Sequence, residues 1–224
     1  MLDIADYHNL HLGEPVALLG NGPSLLTHDL QALPMRAVGM HRSWRVLPTE
    51  YHIILIHKEY FDDISAGLWT PDTIFVQNHY SNYNPNSAVW KDSPRAWHPL
   101  RHHERTVLVP NNRAGKMSGR ISFDLKKDGS KVIHCGLFTL EVLMWMGFNP
   151  IYLLGVDLKH EEGHFYSEKE GYSCPVPDKR DKQVWLWTEG ARHIAAARPD
   201  LRIYNANPRS ALTCFETRSP FDGV

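Results

Sequence analysis

The sequence predicts an α/β protein with a Rossmann-like, mostly parallel sheet, helices on both faces and a lid or insertion. Three observations carry that reading. Short apolar runs of strand length alternate with helix-length stretches along the chain. The first run, Pro15-Val16-Ala17-Leu18-Leu19, ends in the turn Gly20-Asn21-Gly22-Pro23. A second fully apolar run, 150–154, ends in Gly155-Val156-Asp157, as buried parallel strands do at their ligand-binding edge.

The elements follow in order. After the glycine turn, Ser24 stands where an N-cap belongs and a helix is expected to about residue 33. Residues 36–40 read as a strand, 41–46 as a turn or helix stub, and 51–57 as a buried strand followed by a short helix over 58–64. Another strand is expected at 73–77. Residues 79–105 are rich in Asn, Ser, Pro, Tyr, Trp and His without periodicity, and read as an irregular insertion or lid. A strand resumes at 107–109, and the Asp128-Gly129 pair between 121–125 and 131–133 suggests a hairpin. Residues 136–146 form an apolar helix closed by Gly147 at C′. The polar stretch 158–182 reads as a lid, 183–197 as a helix, 202–205 as a strand and 207–215 as a closing segment. The whole chain, 1–224, is expected to form one nucleotide-binding domain.

Composition narrows the function classes. The 224 residues carry 24 Lys+Arg against 25 Asp+Glu, so general nucleic-acid binding is not expected. No apolar stretch approaches the ~20 residues of a membrane span, and the N-terminus lacks the features of a signal peptide. The three cysteines, Cys135, Cys174 and Cys214, form no CxxC pair, which points to a reduced, cytoplasmic protein without a cysteine metal site. The 14 histidines are a surplus that these classes leave unexplained.

Several residues could carry chemistry. Gly20, Asn21, Gly22, Pro23 and Ser24 could bring backbone close to a phosphate at a helix N-terminus, or simply make a tight turn that Ser24 caps. The pattern is neither G-x-G-x-x-G nor Walker A. Asp157 could hold a ribose, a metal or an acceptor hydroxyl, or cap the following turn. His160-Glu161-Glu162-Gly163-His164 has zincin spacing, but Gly163 and the missing apolar periodicity argue against the required helix. Cys135 could be an activated thiol at a helix start or a packing residue. Trp185 and Trp187 could stack a base or sugar, or pack in the core.

Four segments occur in an order that resembles a known superfamily: VALLGNGPSL (16–25), CGLFTLEVLMWMGFNPIYLLGVD (135–157), HFY (164–166) and IYNANPRSAL (203–212). They resemble the bacterial sialyltransferases of glycosyltransferase family 42. They resemble more closely the broad family of the archaeal 6-hydroxymethyl-dihydropterin diphosphokinase, which includes many bacterial and phage proteins. The resemblance implies a Rossmann-like nucleotide site under a lid. Gly20, Asn21, Gly22, Ser24, Cys135 and Gly136 would line the nucleotide, and Tyr166 would contact its phosphate. His41 and His57 stand at strand ends where relatives carry Asn or Asp, and Cys135 stands where the sialyltransferases have serine. No histidine falls in 177–182, near the expected base, so His164 or Asp181 would have to supply it. Four of the histidines, His41, His57, His160 and His164, are thereby expected to face one cleft.

The function expected is transfer from a CMP- or UDP-sugar to a saccharide or small-molecule acceptor. Candidate catalytic residues are His164, Asp157, Asp181 and His57, with His41 and Pro23 among the nucleotide contacts. No resident metal is expected. Magnesium enters only in the alternative, an ATP-dependent diphosphokinase acting on a pterin-like alcohol, with Asp157 as its ligand. A nucleotide-binding protein without catalysis is the third reading, and homo-oligomerisation is left open.

Overall fold

A computed structural model describes residues 2–54, 66–68, 72–78, 104–111, 119–132, 134–159, 163–166 and 178–222. The expected helix at 58–64, most of the 79–105 insertion and most of the 158–182 lid lie outside these residues.

Eight strands form one parallel sheet: β1 Val16–Leu19, β2 Arg36–Met40, β3 Tyr51–Ile54, β4 Thr73–Asn78, β5 Thr106–Pro110, β6 Ile151–Leu154, β7 Ile203–Asn205 and β8 Glu216–Thr217. Their order is β5-β4-β3-β2-β1-β6-β7-β8, with every neighbouring pair parallel. The chain therefore builds outward from β1 to β5, returns to place β6 against the other side of β1, and builds the opposite way. That reversal puts the topological switch point at the carboxyl ends of β1 and β6, the usual ligand position in open α/β sheets.

Alternation along each strand divides the core in two. Val16, Leu18, Val38, Ile53, Phe75, Ile151 and Leu153 face one side, with two α-helices. Ala17, Leu19, Tyr152, Leu154 and Tyr204 face the other, covered by Leu25, Leu30, Leu33, Val46, Leu47 and Phe165. Among the described residues, both faces carry helices, but of different kinds. α1 (Cys135–Trp145) and α2 (Asp178–Ala197) serve the first core, while short 3-10 turns serve the second.

All eleven residues of α1 are buried, as its unbroken apolar sequence requires. Gly147, at φ +88, ends it as expected: its N–H donates to the Met144 carbonyl, and Phe148 N–H donates to Leu143. The amides of Asn9, His11 and Gly13 donate to the carbonyls of Trp145, Met146 and Gly147, so the N-terminal segment satisfies the helix end.

Four expectations are corrected. The helix over 24–33 is instead two 3-10 turns, Pro23–Thr27 and Leu30–Ala32. Asp157 claims the Ser24 amide, Thr27 Oγ1 donates to the Ser24 carbonyl, and the chain turns extended at His28. The hairpin expected at 121–133 has no paired strands among the described residues, although Gly129 makes the expected turn at φ +63. Its would-be ladder amides donate elsewhere: Ile121 to His193, and Ser122 and Lys131 to Glu141. α2 begins at Asp178, inside the expected lid. The apolar helix is shifted by one residue, to Cys135–Trp145. Among the described residues, no helix is long and apolar enough to cross a membrane.

Candidate functional site

The glycine turn after β1 is knitted to the turn after β6. Gly20 N–H donates to the Leu154 carbonyl and Gly22 N–H to the Gly155 carbonyl, both at 2.7 Å. The approach is so close that a Cβ on Gly20 would overlap the Gly155 carbonyl, and one on Gly22 would overlap the Asp157 carboxylate. Glycine is needed for space here. The φ of Gly22, −68°, suits any residue.

Asp157 is 3% exposed and holds this junction together. Its Oδ2 accepts the Ser24 N–H at 2.9 Å, and its Oδ1 accepts both the Ser24 hydroxyl and Asn207 Nδ2, the latter at 2.7 Å. Its backbone carbonyl takes Ala211 N–H and Ser210 Oγ–H. The carboxylate is thus committed to three donors from the β1 turn and the segment after β7. Asp157 therefore fastens the β1 turn to the segment after β7. Asn207 is the partner sequence reasoning missed, and the Asn205-Ala206-Asn207 spacing was its only trace. Asn207 N–H donates to Asn205 Oδ1, which orients it toward Asp157.

Asn21, 4% exposed, sits at the tip of the turn, and its carbonyl accepts Phe165 N–H at 3.0 Å. Its side-chain Oδ1 is buried without a hydrogen-bond partner, an open acceptor at the sheet edge. Phe165 brings its neighbours with it. The His164 ring stacks on Tyr166 at 5.2 Å, and the Arg42 guanidinium lies 5.4 Å from the Tyr166 centroid. Arg42 is a second residue the sequence did not single out. It follows His41, so the Arg42–Tyr166 contact links the end of β2 to the segment whose Phe165 amide bonds the β1 turn.

His41 occupies left-handed backbone, φ 52°, an unusual state for a non-glycine residue. Its N–H donates to the Ile53 carbonyl and its own carbonyl accepts His52 Nε2 at 2.7 Å. His52 is fully buried, and burial pushes its pKa down to about 4, so it donates as a neutral ring. Gly39 makes room for it, since a Cβ there would lie 2.5 Å from His52 Nδ1. His28 also lies within electrostatic reach of Asp157: burial lowers its pKa, and the carboxylate opposes that shift.

The second turn lies at the start of α1. Cys135 is buried, with Sγ toward the Ile53 carbonyl at 4.0 Å, and Gly136 receives the Trp187 ring from α2. A Cβ on Gly136 would lie 2.5 Å from Trp187 Cζ2. Trp187 is fully buried and belongs to the packing alternative, whereas Trp185 is 47% exposed.

The remaining expectations scatter. Asp181 is exposed on the first turns of α2. His57 and His160, two of the four histidines expected to share a cleft, lie outside the described residues. Among the described residues, no group of three or more His, Cys, Asp or Glu could hold a metal ion.

The sheet order and its reversal between β1 and β6 define a Rossmann-like α/β fold. Solved structures sharing it include the sialyltransferase CstII from Campylobacter jejuni, crystallised with cytidine-5′-monophosphate (TM-score 0.55, 16% identity, covering 93% of this chain and 86% of that one). The monofunctional α-2,3-sialyltransferase Cst-I from the same organism aligns at TM-score 0.52 and 13% identity over 95% of this chain and 82% of that one. The MAf glycosyltransferase from Magnetospirillum magneticum AMB-1 aligns at TM-score 0.58 and 16% identity, over 97% of this chain but 37% of that longer one. No protein-family model and no curated protein sequence matches the chain.

Proposed function

We propose that this protein is a nucleotide-sugar-dependent glycosyltransferase that binds its donor across the β1 and β6 edge. The carrying observation is the glycine turn locked by Asp157, which leaves the buried Asn21 Oδ1 open at the topological switch point. The fold shared with CMP-binding sialyltransferases supports a cytidine or uridine donor. The diphosphokinase reading finds no support in these comparisons, and its metal would have to compete for a carboxylate already committed to three donors.

In this reading Gly20, Asn21, Gly22 and Ser24 line the nucleotide, with Pro23 shaping the turn and Cys135 and Gly136 forming the opposite wall. His41 borders the site from β2, and Tyr166 contacts the phosphate. Acceptor deprotonation requires a base within hydrogen-bond reach. His164, stacked on Tyr166, is better placed for it than exposed Asp181, and Asp157 is a positioning residue. His57 is retained as a candidate on sequence grounds alone. The acceptor is a saccharide or small molecule.

Thermal-shift measurements with CMP, CDP, UDP, GDP and ATP, each with and without magnesium, test the proposal. Stabilisation by a cytidine or uridine nucleotide is expected. Stabilisation by ATP–magnesium alone would overturn it. Binding without transfer across a broad donor and acceptor panel would leave a nucleotide-binding protein in place of an enzyme.

A further inference from the structure

Residues 119–132 form a strap between the two α-helices. At its start, a Cβ on Gly119 would lie 2.5 Å from Glu189 Cβ and 2.7 Å from the Leu186 carbonyl, so the strap runs against the backbone of α2. Two consecutive amides beyond Arg120 then donate to side chains of different helices. Ile121 N–H donates to His193 Nδ1 of α2 at 3.1 Å, and Ser122 N–H donates to Glu141 Oε1 of α1 at 2.8 Å. Farther on, Lys131 N–H donates to the same Oε1 at 3.2 Å, and Ser130 Oγ–H donates to Oε2.

The two anchors answer a proton differently. An imidazole nitrogen that accepts an amide cannot do so once protonated, so a charged His193 loses Ile121. Two strap cations, Arg120 and Lys131, act on that ring with Phe123 at 5.4 Å, and on its own helix Arg192 is paired with Glu189. Burial, then those cations, hold the His193 pKa below its usual value. A carboxyl that takes a proton on Oε2 keeps Oε1 as an acceptor for both amides, and its new O–H turns toward Ser130 Oγ. The charged group acting on Glu141 is Lys131, itself paired with Asp128 at 2.9 Å.

We propose that the strap is a one-sided proton latch: acid frees α2 through His193 while Glu141 keeps the strap fastened to α1. Because Trp187 of α2 covers Gly136, release loosens one wall of the candidate nucleotide site. That consequence rests on the glycosyltransferase reading, whereas the latch itself does not.

Amide hydrogen exchange by NMR on the full chain, compared as protection factors at about pH 7.5 and about pH 5, tests it. In the wild type, Ile121 protection should fall about tenfold while Ser122 and Lys131 stay within about twofold. H193N supplies an amide oxygen that accepts without titrating, and should keep Ile121 protected at both pH values. Constant Ile121 protection in the wild type, an equal fall in H193N, or a joint fall of Ile121 and Ser122 would each overturn the latch. CMP affinity measured over the same range adds the second arm: its loss in acid should be flattened in H193N. A wild type that binds no nucleotide yet shows the exchange pattern would remove the proposed function and leave the latch standing.

Discussion

Asp157 shows how one side chain can join turns that lie far apart in the chain. D157N replaces one carboxylate oxygen with a donor that faces the donors of Ser24 or Asn207. Leaving such a buried group unpaired costs about 1–3 kcal/mol. Urea denaturation should report that loss, and nucleotide binding should weaken with it. G22V acts on the same junction, because its side chain would enter the space of the Asp157 carboxylate. Calorimetric titration of folded G22V with CMP should show strongly weakened binding, and unchanged affinity would remove the nucleotide from this turn. His52 gives a pH-dependent prediction. Its folded pKa, about 4, lies below its unfolded value, so its stabilisation is complete above about pH 6.5 and is lost as pH falls toward 4. The slope from this one group is at most about 1.4 kcal/mol per pH unit, and H52Q should remove its share in denaturation series.

At the level of elements, the contact between α2 and the first turn of α1 governs one wall of the site. Gly136 and Trp187 fit face to face, so G136A should overpack the contact and destabilise the protein by about 1–3 kcal/mol. W187F should recover part of that loss in a double-mutant cycle, and strict additivity would show that the pair is not coupled. The elements also divide by legibility. β2 was readable to the residue, and α1 to within one, because a short strand-length segment and a continuous apolar run closed by Gly147 mark them without help from distant residues. The 121–133 hairpin was not, since His193 and Glu141 take the amides a ladder would use, and neither is a local neighbour. Residues 24–33 failed for the same reason, with Asp157 taking the Ser24 amide from 133 positions away.

Across the molecule, buried ionisable groups pull stability in opposite directions with pH. Glu141 is pushed up to about 7 by burial, against the hydrogen bonds of Ser130, Ser122 and Lys131. Its folded form therefore prefers the proton, and its contribution is present at low pH and lost as pH rises from its unfolded value through about 7. His52 and His193 act the other way, losing stability in acid. Stability should therefore pass through a maximum on the acid side of neutrality, and E141Q should flatten the alkaline limb in denaturation profiles, because Gln mimics the protonated acid. An unchanged alkaline limb in E141Q would assign that limb to other groups.

By itself the sequence determined the parallel α/β class, the glycine turn after β1, the Gly-Val-Asp ending of β6 and the candidacy of Asn21 and Gly22. Each of these is written in local chemistry: apolar runs bury, glycines permit close approach, and polar residues after a buried strand fall at its edge. Only the tertiary structure decided that β1 and β6 are neighbours and that Asp157 closes their junction with Asn207. It also placed Arg42 on Tyr166 and Trp187 on Gly136. These pairs join residues far apart in the chain, and their partnership depends on strand order and hydrogen-bond competition, which local sequence does not encode.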